Sequence, residues 1–363
     1  MKSTPQWGWL FCVHMAYRDV HKNKKIIFYS FSGHIKSSEM QYFVCSMNDM
    51  MKNTIVRQLK KYMIIILAIG LCSIFLWHHF NGSSTKTAKS STNTTSQAVK
   101  RRQTVIKKNL TNYLNSVTKD GTVSVSFYNL GATSGSTASK SKYADVYKEG
   151  SLEVESNAHT AQTAASTYKL FITAFLMKQK LNGNFTWNTT NTNGFYSMIV
   201  NSENDYAESQ LTSYGMSTID AFIKTQGWYS PVFVSGQDAT TTSYSLELLL
   251  KDLAKGTGVF TNQSDRSKIL KLMGEQVYRT GIPTGVAAAN KGTTVQDKVG
   301  FLNDTNNDAA IVTMPNGQRY ILVIMTHGHG QSGFSGFPKI AKIAKKVQTI
   351  VYGANAGTKV ESY

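Results

Sequence analysis

The chain of 363 residues predicts an α+β domain after residue 103, in which strands from both ends of that region meet in one antiparallel sheet flanked by helices and the middle forms a helical lobe. Near its start, Thr122–Leu130 (TVSVSFYNL) alternates small polar with apolar side chains, the period of a half-buried strand. Near its end, Thr293–Gly300, Ala309–Thr313 and Arg319–Thr326 have strand patterns, and Pro315-Asn316-Gly317 joins the last two as a hairpin turn. Between these ends the apolar spacing is helical.

Residues 1–61 are expected to be a cytoplasmic segment. Its first fifty residues are aromatic-rich and aperiodic with no core pattern, whereas Met51 opens MKNTIVRQLKKYMIIILAIG, which has the basic start and apolar run of an export signal. Translation is therefore expected to begin at Met51. Tyr62–Phe80 has no Asp, Glu, Lys or Arg and spans about 28 Å as a helix, close to the roughly 30 Å hydrocarbon thickness of a bilayer. Arg57, Lys60 and Lys61 precede it, so the positive-inside rule keeps the N-terminus inside and exports the rest. The fully apolar part, Met63–Trp77, is also short enough for a cleaved signal, but no small-x-small site follows it, and an uncleaved single-helix anchor is expected. Leu71 before Cys72 argues against lipid attachment.

Residues 81–103, rich in Ser, Thr, Lys and Asn, read as a flexible tether, and 104–363 as the folded domain. A first helix is expected over Thr104–Val117, with Val105, Leu110, Tyr113 and Leu114 on its apolar side, then a turn at Lys119-Asp120-Gly121. After the first strand, Gly131–Ser141 is a loop and Tyr143–Glu155 a strand interrupted at Glu149-Gly150. Helices are expected over Ala164–Met177, running on to the stop signal Asn182-Gly183, and over Phe195–Leu211, Thr218–Gln226, Ser243–Lys255, Ser267–Met273 and Pro338–Tyr352.

Lys and Arg number 39 against 21 Asp and Glu, a net charge of +18 spread along the chain. No RNA- or DNA-binding motif accompanies it, so nucleic acid is not an expected partner; anionic wall polymers or lipid headgroups fit an exported basic chain better. Cys12, Cys45 and Cys72 all precede the folded domain, which therefore has no disulfide and no cysteine-ligated metal. His327 and His329 have no neighbouring acid or cysteine in sequence and read as strand-end residues; no metal and no cofactor are expected.

The helix Ala164–Met177 carries the first candidate chemistry. At about 100° per residue, Ser166, Lys169, Thr173 and Met177 fall on one stripe, and Leu, Ile, Phe, Tyr and Ala fill the rest. Residues three apart share a helix face, so the Ser166 hydroxyl and the Lys169 amine can hydrogen-bond. Burial disfavours an ammonium and would make Lys169 a base near neutral pH, while the helix N-terminus favours negative charge on Ser166. The same stripe also fits the wet face of an ordinary amphipathic helix, and this stretch alone does not choose between them.

Three short motifs follow in order: Ser166-Thr167-Tyr168-Lys169, Ser202-Glu203-Asn204 and Lys298-Val299-Gly300. With the Thr240-Thr241-Thr242 run and the final hairpin and helix, the region resembles the class A β-lactamases and penicillin-binding proteins, whose motifs are S-x-x-K, S-D-N and K-T-G. The resemblance implies a β-lactamase/transpeptidase-like fold. It implies Ser166 as the acylated nucleophile, Lys169 as its base, Ser202 as proton shuttle to the leaving nitrogen, Asn204 as ligand to the substrate amide and Lys169, and Lys298 as a positive charge in the cleft. Gly300 and Phe301 would border the substrate, the backbone N–H groups of Ser166 and Phe301 forming an oxyanion hole.

Two departures bear on the reaction. Class A enzymes carry a water-activating glutamate on a loop before the threonine run; here Gly227–Ala239 (GWYSPVFVSGQDA) is short and Asp238 is its one acid. Release of the acyl group is then expected to be slow. Val299 stands where the family has a hydroxyl that holds the substrate carboxylate. Glu203, Asp205 and the Tyr278–Pro283 turn read as structural. The expected function is an anchored extracellular serine hydrolase, acting on a β-lactam or a peptidoglycan-derived peptide; the alternative is a module of the same fold that binds, or is acylated by, such peptides without efficient turnover.

Overall fold

The computed structural model describes residues 10–16, 27–33 and 86–363. The expected anchor at 62–80 and the expected start at Met51 lie outside them, and among the described residues no helix is long and apolar enough to cross a membrane. The chain divides into two units, 1–88 and 89–363. In the first, β1 (Leu10–Ala16) and β2 (Ile27–Gly33) pair antiparallel with Leu10 opposite Gly33. A ribbon thus stands where the sequence shows no periodic pattern; both strands are rich in aromatic or branched residues, which favour extended backbone.

The second unit opens with α1 (Lys86–Thr118). This corrects the tether over 86–103: the helix continues N-terminally through the Ser/Thr-rich stretch. Its packing starts later, with Arg102 bonded to the Ala356 carbonyl and Ile106, Leu110 and Leu114 fully buried, so the core begins close to the expected boundary at 104.

Strands β3 (Val123–Ala132), β4 (Val154–Ser156), β7 (Thr294–Leu302), β8 (Thr305–Thr313) and β9 (Gln318–Thr326) form one antiparallel sheet in the order β4-β3-β9-β8-β7. The N-terminal strand thus pairs with the last strand, as expected. β9 explains why its sequence is almost continuously apolar: Tyr320, Leu322 and Ile324 enter one core and Ile321, Val323 and Met325 the other. α1 and the closing helix α9 (Phe337–Tyr352) cover the first face. α2 (Lys169–Leu181) and α6 (Ser243–Lys255) fill the second, joined by α3 (Thr189–Tyr196), α4 (Asp205–Tyr214), α5 (Met216–Thr225) and α7 (Gln263–Gly274) of the helical lobe.

Local patterns fail where side chains capture the backbone. The strand expected over Tyr143–Glu155 is a 3₁₀ turn at Ala144–Tyr147, a loop and only then β4. The Asn129 amide takes the place of a ladder partner, donating to the carbonyls of Tyr147 and Lys148 and accepting from Leu152 N–H. Two short strands, β5 (Gln162–Thr163) and β6 (Thr240–Thr241), pair on their own. The turn read at Tyr278–Pro283 runs into α8 (Ile282–Ala289), whose first N–H is capped by Asp308.

Candidate active site

Ser166 sits on a 3₁₀ turn, Ala165–Tyr168, that leads directly into α2. The turn is tied on three sides. The β5–β6 pair continues into a bond from Ala164 N–H to the Ala239 carbonyl, Thr167 Oγ donates to the Ala164 carbonyl, and Asn307 of β8 donates to the carbonyls of Thr163 and Ala164. Ala165 has φ of 43°, a left-handed conformation costly for a residue with a Cβ and held by these ties.

Lys169, three residues on and fully buried, points its Nζ at Ser166 Oγ (2.9 Å), the Ser202 carbonyl (2.6 Å) and Asn204 Oδ1 (2.7 Å). The apolar girth of α2 is what buries it: every residue from Lys169 to Met177 is buried. The wet-face reading of the stripe is thereby excluded. Desolvation lowers the Lys169 pKa to about 8, against the pull of the Glu208 and Glu203 carboxylates, which favour its charged form. When Lys169 loses a proton, its lone pair accepts the Ser166 hydroxyl.

The Phe195–Leu211 helix expected from sequence is broken where the chemistry lies. α3 passes into a π turn at Ser197–Asn201, Ser202 takes the left-handed φ of 63°, and α4 begins only at Asp205. The break turns the Ser202 hydroxyl to Lys298 and its carbonyl to Lys169. Gln276, donating to the Ile199 carbonyl, and Val277 N–H, bonded to the Val200 carbonyl, brace it from outside. Lys298 Nζ donates to Ser202 Oγ (2.6 Å) and to the Val299 carbonyl (2.9 Å). Its pKa lies well below the ordinary lysine value, first through burial and next through the charge of Lys169. Glu203 accepts from Asn201 and is otherwise exposed.

Gly300 explains why the third motif ends in glycine. A Cβ there would stand 2.9 Å from each of the Ala164 carbonyl oxygen, Ser166 N and Thr167 N, so only a bare backbone lets β7 lie against the Ser166 turn. The residues named from sequence, Ser166, Lys169, Ser202, Asn204, Lys298, Gly300 and Phe301, thus converge on one place. Ser166, Asn204 and Phe301 line a cleft of about 300 Å³ together with Tyr168, Asp238 and Glu208. Glu208 was not singled out from sequence. The signal was there: it lies four residues after Asn204, hence on the same face of α4.

Tyr278 borders the cleft indirectly, packing edge-on against Phe301 and stacking on Phe334. His329 pairs with Asp120 at 2.8 Å, away from these groups.

The Beta-lactamase enzyme family matches residues 188–352. No curated protein matches the chain. Among solved structures it is similar to PBP-A (20% identity over 66% of this chain and 95% of that one, TM-score 0.53) and to a PBP-A mutant solved as the acyl-enzyme complex with penicillin G (19%, 66% and 95%, TM-score 0.52). It is also similar to a class A β-lactamase from Bacteroides cellulosilyticus (16%, 67% and 97%, TM-score 0.52). These neighbours share the sheet with flanking helices found here: the chain has the β-lactamase/transpeptidase-like fold, and the Beta-lactamase family match covers its 188–352 segment.

Proposed function

We propose that the domain is a serine hydrolase that forms an acyl-enzyme on Ser166 from a β-lactam or a peptidoglycan-derived peptide and releases it slowly. The observation that carries this reading is Lys169: a buried amine, 2.9 Å from the Ser166 hydroxyl, with its pKa lowered toward neutrality. Neutral Lys169 takes the hydroxyl proton as Oγ attacks the carbonyl carbon. The N–H groups of Ser166 and Phe301 receive the oxyanion, an arrangement in which each donor typically contributes about 2.7 to 4 kcal/mol. Ser202, bonded to Lys298, passes a proton to the leaving nitrogen, the C–N bond breaks, and the proton held by Lys169 makes up the loss. The net change is that the Ser166 proton replaces the acyl group on nitrogen.

Slow release follows from the 227–239 loop, which has no glutamate. Glu208 and Asp238 are the two carboxylates along the cleft, and both are exposed, with no hydrogen-bonded setting that would hold either one against an attacking water. The PBP-A mutant solved as an acyl-enzyme complex with penicillin G supports the acylation step by analogy of fold. The loop and Val299 also favour a second reading, a module that is acylated or binds peptide without turnover. Intact-mass spectrometry after penicillin G, with Ser166→Ala alongside, separates these. A persistent single adduct, absent from Ser166→Ala, is the expected result; drug loss without an adduct means efficient release, and neither means a binding module.

In this reading the apolar stretch Tyr62–Phe80 anchors the domain outside the cell membrane, where its net positive charge favours anionic wall polymers. External protease on intact cells should then remove the domain and leave the anchor.

A further inference from the structure

Outside the cleft, Glu153, Glu155 and Glu247 each present a carboxylate oxygen to a common point, and the three oxygens lie within 4.8 Å of one another. Glu155 lies in the edge strand β4 and Glu153 is the residue just before that strand, two positions away, and their carboxylates come together. The face of Glu155 is the one α6 covers: Glu155 pairs with Ser126, whose hydroxyl meets Ser243, and Ser243 is four residues before Glu247 on α6.

Glu247 is the informative member. It is fully buried, and neither of its carboxylate oxygens has a hydrogen-bond partner. A buried carboxylate left bare is costly, and a chain with 39 cationic side chains has no shortage of partners for it. Yet none serves. Lys251, one turn along α6, lies over the Tyr128 ring at 4.2 Å, Lys255 pairs with Glu149, and His159, its ring tilted against Tyr244, pairs with Glu155 at 2.7 Å. Among the described residues no Lys or Arg forms an ion pair with Glu153, Glu155 or Glu247.

We infer that Glu153, Glu155 and Glu247 form a calcium site that clamps the sheet edge to α6. An all-carboxylate set suits a hard cation better than zinc, whose protein sites are built mainly on cysteine sulfur and histidine nitrogen. Ca²⁺–oxygen bonds of about 2.4 Å allow ligand atoms to stand up to about 4.8 Å apart across the ion. Glu247 supplies the buried wall, and the half-buried Glu153 and Glu155 leave room for water to complete the shell. The three glutamates share no residue with the cleft at Ser166, and the site stands independently of the proposed hydrolase activity.

The test uses the full-length chain in detergent, stripped with chelator and titrated with CaCl₂ by calorimetry and thermal melting, with MgCl₂ and matched NaCl as controls. One saturable Ca²⁺ site is expected, with Kd of about 10⁻⁴ to 10⁻³ M and a raised Tm. Glu247→Gln, which keeps the side chain's size, and the rim pair Glu153→Gln with Glu155→Gln should each weaken binding at least about tenfold while remaining folded. Absence of saturable binding up to on the order of 10 mM overturns the inference. So does a response that NaCl reproduces, or one that both variants retain.

Discussion

Substituting Glu208 by Gln tests how the cleft sets its own pH range. Lys169 must be neutral to accept the Ser166 proton, and its pKa of about 8 leaves about a tenth of the molecules competent at pH 7 and about half at pH 8. Acylation of the wild type should therefore rise about fivefold between those values and level off above about pH 9. Burial alone lowers the lysine pKa; the Glu208 carboxylate, and less strongly Glu203, work against it. Removing the Glu208 charge takes away stabilisation of the ammonium, so the rising limb should move to lower pH and acylation at pH 7 should speed up, with the plateau unchanged. Glu208 is solvent-exposed, so added salt should screen its influence in the wild type and shift the limb in the same direction. The assay is a quenched time course of adduct formation by intact mass across pH, with adduct decay followed separately. A flat profile from about pH 6.5 to about pH 9, or a limb that moves upward in Glu208→Gln, refutes Lys169 as the titrating base.

Gly300→Ala drives a Cβ against three backbone atoms of the Ser166 turn; it should cost about 1 to 3 kcal/mol in a denaturant melt and lower the acylation rate more than Km-like binding terms. Ser202→Ala removes the acceptor of the Lys298 bond and should slow acylation while leaving the Lys169 pH limb in place, as its ligand there is the Ser202 carbonyl. Arg279→Ala takes away the guanidinium that bonds fully buried Asp297, next to Lys298; the loss of stability, seen in thermal melts, should grow with pH because an unpaired buried aspartate is tolerated only when protonated.

The sheet and the helices around it were legible in the sequence because their periods are strong. Ser243–Lys255 was read with its observed limits, and the three C-terminal strands within a few residues, since each buries side chains in a regular repeat. Ser166 and Lys169 were legible through the order of the three motifs, because the girth of α2 alone fits a buried lysine and a wet stripe equally well. What escaped reading depends on partners far away in sequence. The break at Ser202 is held by Gln276 and Val277, and the coil after β3 by Asn129, contacts no local pattern announces. Glu208 was legible only through its spacing of four residues after Asn204, a relation that no motif names. Within 104–363, the motif residues came together although the elements bearing Ser202 differ from those expected, since the resemblance rested on motif order and not on element boundaries.

The central claim is that Ser166 is an activated nucleophile, and a serine-reactive fluorophosphonate tests it without assuming the natural substrate. Peptide mapping of the labelled protein should place one phosphonyl group on Ser166, none in Ser166→Ala and far less in a folded Lys169→Met. A folded wild-type protein that stays unlabelled, or a label that maps to another residue, would contradict the account.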